Sequence, residues 1–156
     1  MNSTGGSTTG RIFDTISREL RPKDKHGYVV NIEQMTKLNR DFRRVLYTGP
    51  YSQLVLMSIP PNEHIGLETH FDVDQFFRIE SGQGIVTINN DQYPVKDGYA
   101  IVVPAGAKHD VANTSGSLDL KLYTIYSPPE HRDHTIRRTK ADALTQPEQY
   151  DGVPSE

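Results

Sequence analysis

GYAIVVPAGAKHDVAN, residues 98–113, is the stretch that is most informative about the fold of this chain. A run of apolar and β-branched residues at 100–103 ends at Pro104, and a second run follows Gly106 and includes His109. Proline and glycine at such points are typical of turns between short strands. The stretch therefore predicts two strands, Ala100 to Val103 and Lys108 to Asn113, joined by a tight connection.

A second stretch, GLETHFDVDQFFRIESGQG at residues 66–84, supplies further residues able to coordinate a metal. Glu68 and His70 are two positions apart, so on a strand their side chains share one face and can chelate one ion. Gln75 opens the next predicted strand after the turn-like FDVD and can meet them across a hairpin. Imidazole nitrogens with carboxylate and amide oxygens suit a divalent first-row metal.

The rest of the sequence also has the pattern of an all-β domain. Residues rich in β-branched and aromatic types form short runs, and Gly, Pro, Asn and Asp fall between these runs, which is typical of an antiparallel sandwich or barrel. The predicted strands are Tyr28 to Ile32, Phe42 to Thr48, Gln53 to Ile59, Leu67 to Phe71, Gln75 to Glu80, Gly84 to Ile88, Gln92 to Val95 and Leu118 to Tyr126, besides the two above.

Helical patterns are short and lie near the two ends of the chain. Apolar residues recur at helical spacing over Arg11 to Leu20, one helical turn is predicted over Glu33 to Asn39, and a helix is predicted over Lys140 to Leu144. We expect a flexible N-terminus with its short helix at residues 1–27, a barrel domain at 28–127, and a mostly irregular C-terminal tail at 128–156 whose end is frayed. His131 and His134 lie in this polar tail and are predicted to be solvated.

Composition limits the classes of partner. The chain has 156 residues, with 17 Lys and Arg against 20 Asp and Glu, and no long run of either sign, so we expect a small-molecule partner and neither nucleic acid nor a membrane. It contains no cysteine, which excludes disulfides and thiolate ligands. The start lacks the pattern of a signal peptide, and a cytoplasmic location is expected.

The two stretches resemble the two motifs of the cupin superfamily. The stretch at residues 98–113 matches the motif G(x)5PxG(x)2H(x)3N at every position, through Gly98, Pro104, Gly106, His109 and Asn113. The stretch at residues 66–84 keeps the spacing of HxH(x)4E(x)6G. It has Glu68 in place of the first His and Gln75 in place of the Glu. The resemblance covers about residues 54–127 and extends to small single-domain cupins described as mannose-6-phosphate-isomerase-like.

This resemblance implies a single cupin jelly-roll barrel with one divalent metal ion, Zn, Mn, Fe or Ni, held by Glu68, His70, Gln75 and His109. Small cupins commonly form dimers, so a homodimer is expected. The favoured function is metal-dependent Lewis-acid chemistry of the isomerase or lyase type on a small sugar, uronate or keto acid. Two alternatives stay open: an oxygen-activating dioxygenase and a non-catalytic cupin that binds a ligand or metal. Tyr126 is the candidate proton donor.

Overall fold

A computed structural model describes residues 24–156, and within them the chain forms two antiparallel sheets and two short helices. This confirms the predicted all-β class. The elements are α1 (Ile32–Leu38), β1 (Arg43–Thr48), β2 (Gln53–Ile59), β3 (Asp74–Ser81), β4 (Gln83–Ile88), β5 (Asp91–Lys96), β6 (Ala100–Val103), β7 (His109–Asn113), β8 (Leu120–Ser127), β9 (Ile136–Arg137) and α2 (Lys140–Thr145).

The larger sheet has six strands in the order β6-β3-β8-β2-β1-β9, and the smaller has the order β5-β4-β7. Burial alternates along β8, so Leu120, Leu122, Thr124 and Tyr126 share the inner face, as the two-residue period predicts. Tyr126 is paired with Gln53 of β2 on one side and with Gln75 of β3 on the other. These three side chains therefore mark one end of the barrel interior.

The hydrophobic core lies between the two sheets. The large sheet contributes buried aliphatic and aromatic side chains from five strands, β1, β2, β3, β6 and β8, and the small sheet contributes Val86 and Val111, which are fully buried. Full burial of such a side chain contributes about 1.5–3 kcal/mol. The core therefore holds the strands that carry the polar end of the barrel in fixed register.

Two of the predicted strands are wrong. Residues 28–31 belong to no strand, and Val29 is 96% exposed; the chain then enters α1, whose N-terminus is capped by the Asn31 side chain. Residues 67–71 make only one bridge, between Glu68 and His109. The preceding bridge joins His64 to Ala112, so one extra residue lies between the two bridges, at the position of Gly66 with φ 113°, and the ladder is interrupted there. The short strand β9 was not predicted from the sequence.

The two other helical predictions agree with α1 and α2, whereas the helix predicted over residues 11–20 lies outside the described residues. Helix α2 begins with a capping box between Thr139 and Asp142. Neither helix in residues 24–156 has the length and apolar character needed to cross a membrane.

The C-terminal end was predicted to be frayed, and this prediction is wrong. Backbone and side-chain hydrogen bonds tie the end to the barrel. The Ser155 amide donates to the Thr48 carbonyl at 2.8 Å, and the Glu156 carboxylate accepts from the Gly27 amide at 3.0 Å. The prediction for His131 is also wrong, since it is 7% exposed and bonded to Glu148, while His134 is exposed as predicted. Charged residues that are distant in the sequence pack against this part of the tail and bury it.

Candidate metal centre

Glu68 and His109 lie opposite one another on adjacent backbone segments. Each amide donates to the carbonyl of the other residue, and both hydrogen bonds measure 2.9 Å. His70 is two residues further along the same segment, with its ring centroid 5.6 Å from that of His109. One ligand atom from each of these residues lies within 4.8 Å of the others. The structure therefore brings three of the predicted ligands together, and this set could hold a metal ion.

Gln75 extends from β3 into the same cluster. Its Oε1 is 3.1 Å from His109 Nε2, and its Nε2 donates to Thr124 Oγ1 at 3.0 Å. The Thr124 hydroxyl in turn donates to the Phe76 carbonyl at 2.8 Å. Because this chain of donors fixes the orientation of the Gln75 amide, its carbonyl oxygen points at His109. The fourth predicted ligand is thus beside the other three.

The surroundings of the His109 ring favour a cation at Nε2. Nδ1 is 3.0 Å from the Ala107 carbonyl, which can only accept, so Nδ1 carries the proton of the neutral ring. Nε2 then presents a lone pair to Gln75 Oε1, a second acceptor. Protonating both nitrogens would bury an imidazolium, at 2% exposure, next to His70. A metal ion shared by Nε2 and Oε1 satisfies both atoms.

His70 lies between two carboxylates. Its Nε2 is 3.4 Å from Glu68 Oε2, and its Nδ1 is 3.4 Å from Glu130 Oε1. Hydrogen bonding to Glu130 and then to Glu68 raises the pKa of His70 to about 9. Without metal, the ring is therefore a cation near neutral pH. A proton on Nε2 occupies the position from which the ring would bind an ion, while Glu130 at Nδ1 would orient the ring.

The donor set and its spacing fit one divalent ion. Atoms bound at about 2.0–2.2 Å to a common ion, at octahedral or tetrahedral angles, are about 2.8–3.6 Å apart. The Gln75–His109 separation of 3.1 Å and the Glu68–His70 separation of 3.4 Å fall in this range. His70 Nε2 is also buried, and among residues 24–156 its nearest acceptor, Glu68 Oε2 at 3.4 Å, does not meet hydrogen-bond geometry, so this interaction is a charge contact that a bound ion would replace.

The electrostatic state of Glu68 suits a metal ligand. Burial raises the pKa of this carboxyl, but the hydrogen bond and charge of His70 outweigh burial and hold the pKa below its usual value. The residue is therefore ionised at neutral pH. A carboxylate with two imidazoles gives the neutral-pH donor set that divalent first-row ions bind.

Tyr126 closes the inner side of the cluster. It is 2% exposed, and the edge of its ring meets His70 with centroids 6.0 Å apart. Burial raises the pKa of Tyr126 far above its usual range, so the phenol keeps its proton. It can donate a hydrogen bond, as predicted for a candidate proton donor, but it cannot act as a base near neutral pH.

The centre is open on one side. The side chains of Glu68 and Glu130 are 31% and 32% exposed, whereas Gln75 and His109 are each 2% exposed. A small molecule would therefore approach from the two carboxylates. His64 lies at the rim, where its side chain is half-exposed, and its Nδ1 is 2.6 Å from Asp110 Oδ2.

Two features were not predicted from the sequence. One is the position of Glu130, and the other is the buried group formed by Arg43, Glu148 and His131. Glu130 follows the proline pair that ends β8, and β8 is paired at that end with the start of β3, where Gln75 lies. This pairing indicates that the residues directly after β8 lie close to the site. For Arg43, the signal was a charged residue in phase with the inward-facing Val45 on β1.

Comparisons with known proteins agree with the motifs. The Cupin domain family model matches residues 55–126. The chain is 52% identical over 123 residues to the Bacillus subtilis protein YrkC, covering 75% of this chain and 66% of YrkC. It is 46% identical over 107 residues to protein L612 of Acanthamoeba polyphaga mimivirus, covering 67% of each chain. The matched region thus spans about two thirds of the length of these relatives.

Solved structures give the same result for the fold. The crystal structure of BH2720 from Bacillus halodurans is 49% identical, with a TM-score of 0.75, and the match covers 77% of this chain and 95% of that one. A protein with a double-stranded β-helix domain from Klebsiella pneumoniae is 17% identical, with a TM-score of 0.56, and supports the fold alone. The chain belongs to the cupin domain family, and its barrel is the predicted jelly roll.

Proposed function

We propose that this cupin binds one divalent metal ion, Zn, Mn, Fe or Ni, through Glu68, His70, Gln75 and His109. The observation that carries the proposal is the pair of acceptors around His109. Ala107 takes the one proton of the neutral ring, and the Gln75 oxygen faces the remaining lone pair. A cation between them is the arrangement that leaves neither atom without a partner.

We infer further that the bound ion serves a metal-dependent reaction of the isomerase or lyase type on a small sugar, uronate or keto acid. The ion would supply Lewis-acid polarisation of a carbonyl or hydroxyl group. Among the residues of the chain, Tyr126 would donate a hydrogen bond from its retained phenol proton, and Glu130, at the open side and 3.4 Å from His70, would accept a proton or orient His70. The exposed carboxylate side leaves room for a substrate.

The resemblance to mannose-6-phosphate-isomerase-like cupins rests on the shared barrel, which does not establish a reaction, and the phosphate part of such a substrate is not proposed. Phosphate binding usually requires several cationic donors. Glu68 and Glu130 instead line the open side of the centre. We also propose a cytoplasmic homodimer, and a monomeric mass in light scattering would contradict that.

The set of two histidines and one carboxylate also favours a second candidate, an oxygen-activating dioxygenase. Turnover of a substrate panel by iron-loaded protein with and without oxygen would separate the two enzymes, since turnover that persists under anaerobic conditions excludes the dioxygenase. A non-catalytic metal or ligand carrier would bind the ion and turn over nothing in either atmosphere.

Metal binding is tested first, by elemental analysis and by thermal unfolding with and without chelator. We expect about one ion per chain and, at a hundredfold excess over Kd, about 2.7 kcal/mol of stabilisation. His70→Gln should remove this response, whereas His64→Gln, a matched change at the rim, should keep it. Absence of bound metal, with no stabilisation by any divalent ion, would refute the proposed function.

A further inference from the structure

We propose that Arg43 binds the carboxylate group of the small molecule taken by the metal centre, an inference that rests on the proposed metal-binding function. Arg43 begins β1, and its side chain is 10% exposed. Val45, two residues later, is paired with the core residue Val55. Residues two apart on a strand share a face, so Arg43 lies on the inner face of the sheet that also carries Gln75 and Tyr126.

The guanidinium is poorly satisfied by the described residues. Its ion pair with Glu148 spans 3.9 Å from Nη1 to Oε1, which is too long for a hydrogen bond. The same Glu148 oxygen is 2.7 Å from His131 Nδ1 and is therefore already engaged. Arg43 Nε is buried with no hydrogen-bond partner. Because an unpaired buried donor is costly, these donors are suited to an incoming anion.

Charge balance at the centre points to an anion as well. The two charges of a divalent ion would offset Glu68 and Glu130. Glu148 is paired with Arg137, with Oε2 and Nη2 3.1 Å apart. The charge of Arg43 is then left without a full counter-charge in a buried position, where a monoanion would neutralise it.

Buried side chains connect Arg43 with the proposed metal ligands. Its guanidinium is 3.9 Å from Glu148, which is 2.7 Å from His131. The His131 ring meets the Tyr126 ring with centroids 5.0 Å apart, and the Tyr126 ring meets that of His70 at 6.0 Å.

In this proposal, a molecule that enters between Glu68 and Glu130 binds the ion with one end, and its carboxylate extends inward to the guanidinium. Planar bidentate pairing with Arg fits a carboxylate, and a single Arg with one spare charge fits a monoanion better than a phosphate.

This inference narrows the substrate class to small oxo- or hydroxy-carboxylates, such as keto acids and uronates, and excludes neutral sugars. It is tested by titrating zinc-loaded protein with pyruvate, glycolate and glucuronate in a calorimeter. Arg43→Gln should weaken binding of the acids by about tenfold or more, the loss of a charged hydrogen bond, and Arg43→Lys should weaken it less. Arg44→Gln is the matched control, because Arg44 is half-exposed and paired with Asp41.

Zinc affinity separates this inference from the proposed function. If zinc does not bind the wild type, the metal proposal fails. If zinc binds all variants alike and the acids bind Arg43→Gln as tightly as wild type, or bind no form at all, the role of Arg43 is overturned.

A second measurement needs only one conservative variant. The Nε–H resonance of Arg43, identified by its loss in Arg43→Lys, should shift when pyruvate is added to zinc-loaded wild type and stay unmoved with pyruvamide. An unmoved resonance with pyruvate would overturn the proposal, and an equal shift with inorganic phosphate would overturn the choice of a carboxylate.

Discussion

Gln75 Oε1 and His109 Nε2 meet at 3.1 Å, although neither atom carries a proton when His109 donates from Nδ1 to Ala107. Thr124 holds the Gln75 amide in this orientation, so the contact is built into the register of β3 and β8. Two acceptors held face to face form half of a cation site. A bound metal ion should therefore remove the unfavourable contact between Gln75 Oε1 and His109 Nε2 that is present in the metal-free protein.

Gln75→Glu tests this consequence, since Glu is the residue of the first cupin motif at this position. We expect tighter zinc binding from the added charge, together with a loss of about 1–3 kcal/mol of unfolding free energy in the metal-free protein, because the carboxylate loses the donor to Thr124 in a buried site. Calorimetry and urea unfolding in EDTA measure the two effects.

Gln53→Glu is the matched control, because Gln53 is 1% exposed and pairs with Tyr126 from the opposite strand. It should also destabilise the protein but leave zinc affinity unchanged. Unchanged zinc affinity in Gln75→Glu would count against Gln75 as a ligand.

The pKa of about 9 for His70 makes stability of the metal-free protein depend on pH. The pKa is raised above the unfolded value of about 6.5, so the contribution of His70 is fully present below pH 6.5 and is lost as pH rises through about 9. In Glu130→Gln the main cause of the shift is gone, so the pH-dependent loss of stability should be smaller and should be complete at a lower pH. Urea midpoints of the chelated protein from pH 6 to 10 test this.

Metal binding should show the opposite trend, because the ion competes with the proton on His70. Apparent zinc affinity should rise with pH up to about 9, above the range expected for an ordinary histidine. Affinity that becomes constant above pH 7 would argue against His70 as a ligand in the proposed site.

Local patterns of the sequence were enough for the strands β3, β6 and β7 and for placing Glu68 beside His70, whereas the proximity of His109 came from the resemblance to the cupin motifs. The spacing of two residues and the turn chemistry of Gly and Pro act over short distances, and the barrel keeps them. The strand predicted over residues 67–71 failed because the sequence does not say how many ladder bonds the partner strand supplies: His109 gives one bridge and no more at Glu68.

The predictions for the C-terminal tail were wrong for a different reason. His131 is buried because Glu148, 17 residues later, returns to meet it, and the Gln53 amide donates to the His131 carbonyl from 78 residues away. Composition describes a polar segment correctly and cannot show that its charges have partners. The same long-range closure carries Glu130 to His70.

Glu148 is expected to be the most sensitive residue of the tail, because it contacts three basic side chains. Its side chain is 5% exposed and contacts His131, Arg137 and, loosely, Arg43. Glu148→Gln would leave buried positive charge without its counter-charge, and we expect a loss of about 3–5 kcal/mol of unfolding free energy. Asp151→Asn, at the exposed pair with Arg132, should change it by less than about 0.5 kcal/mol. Equal effects in denaturant titrations would mean that Glu148 is not part of a buried network.

Gly84 links barrel packing to the metal centre. A Cβ at this position would lie 2.3 Å from the Ala112 carbonyl oxygen, so Gly84→Ala must separate β4 from β7, whose ladder also pairs Ile88 with His109. We expect a loss of about 3 kcal/mol or more and weaker zinc binding. Gly98→Ala meets no atom within 4 Å and is strained only by its φ of 88°, which costs about 1–2 kcal/mol. Gly98→Ala should leave zinc affinity intact. If Gly98→Ala weakens zinc binding as much as Gly84→Ala does, the loss of zinc affinity follows from lower stability alone and not from a shift of His109.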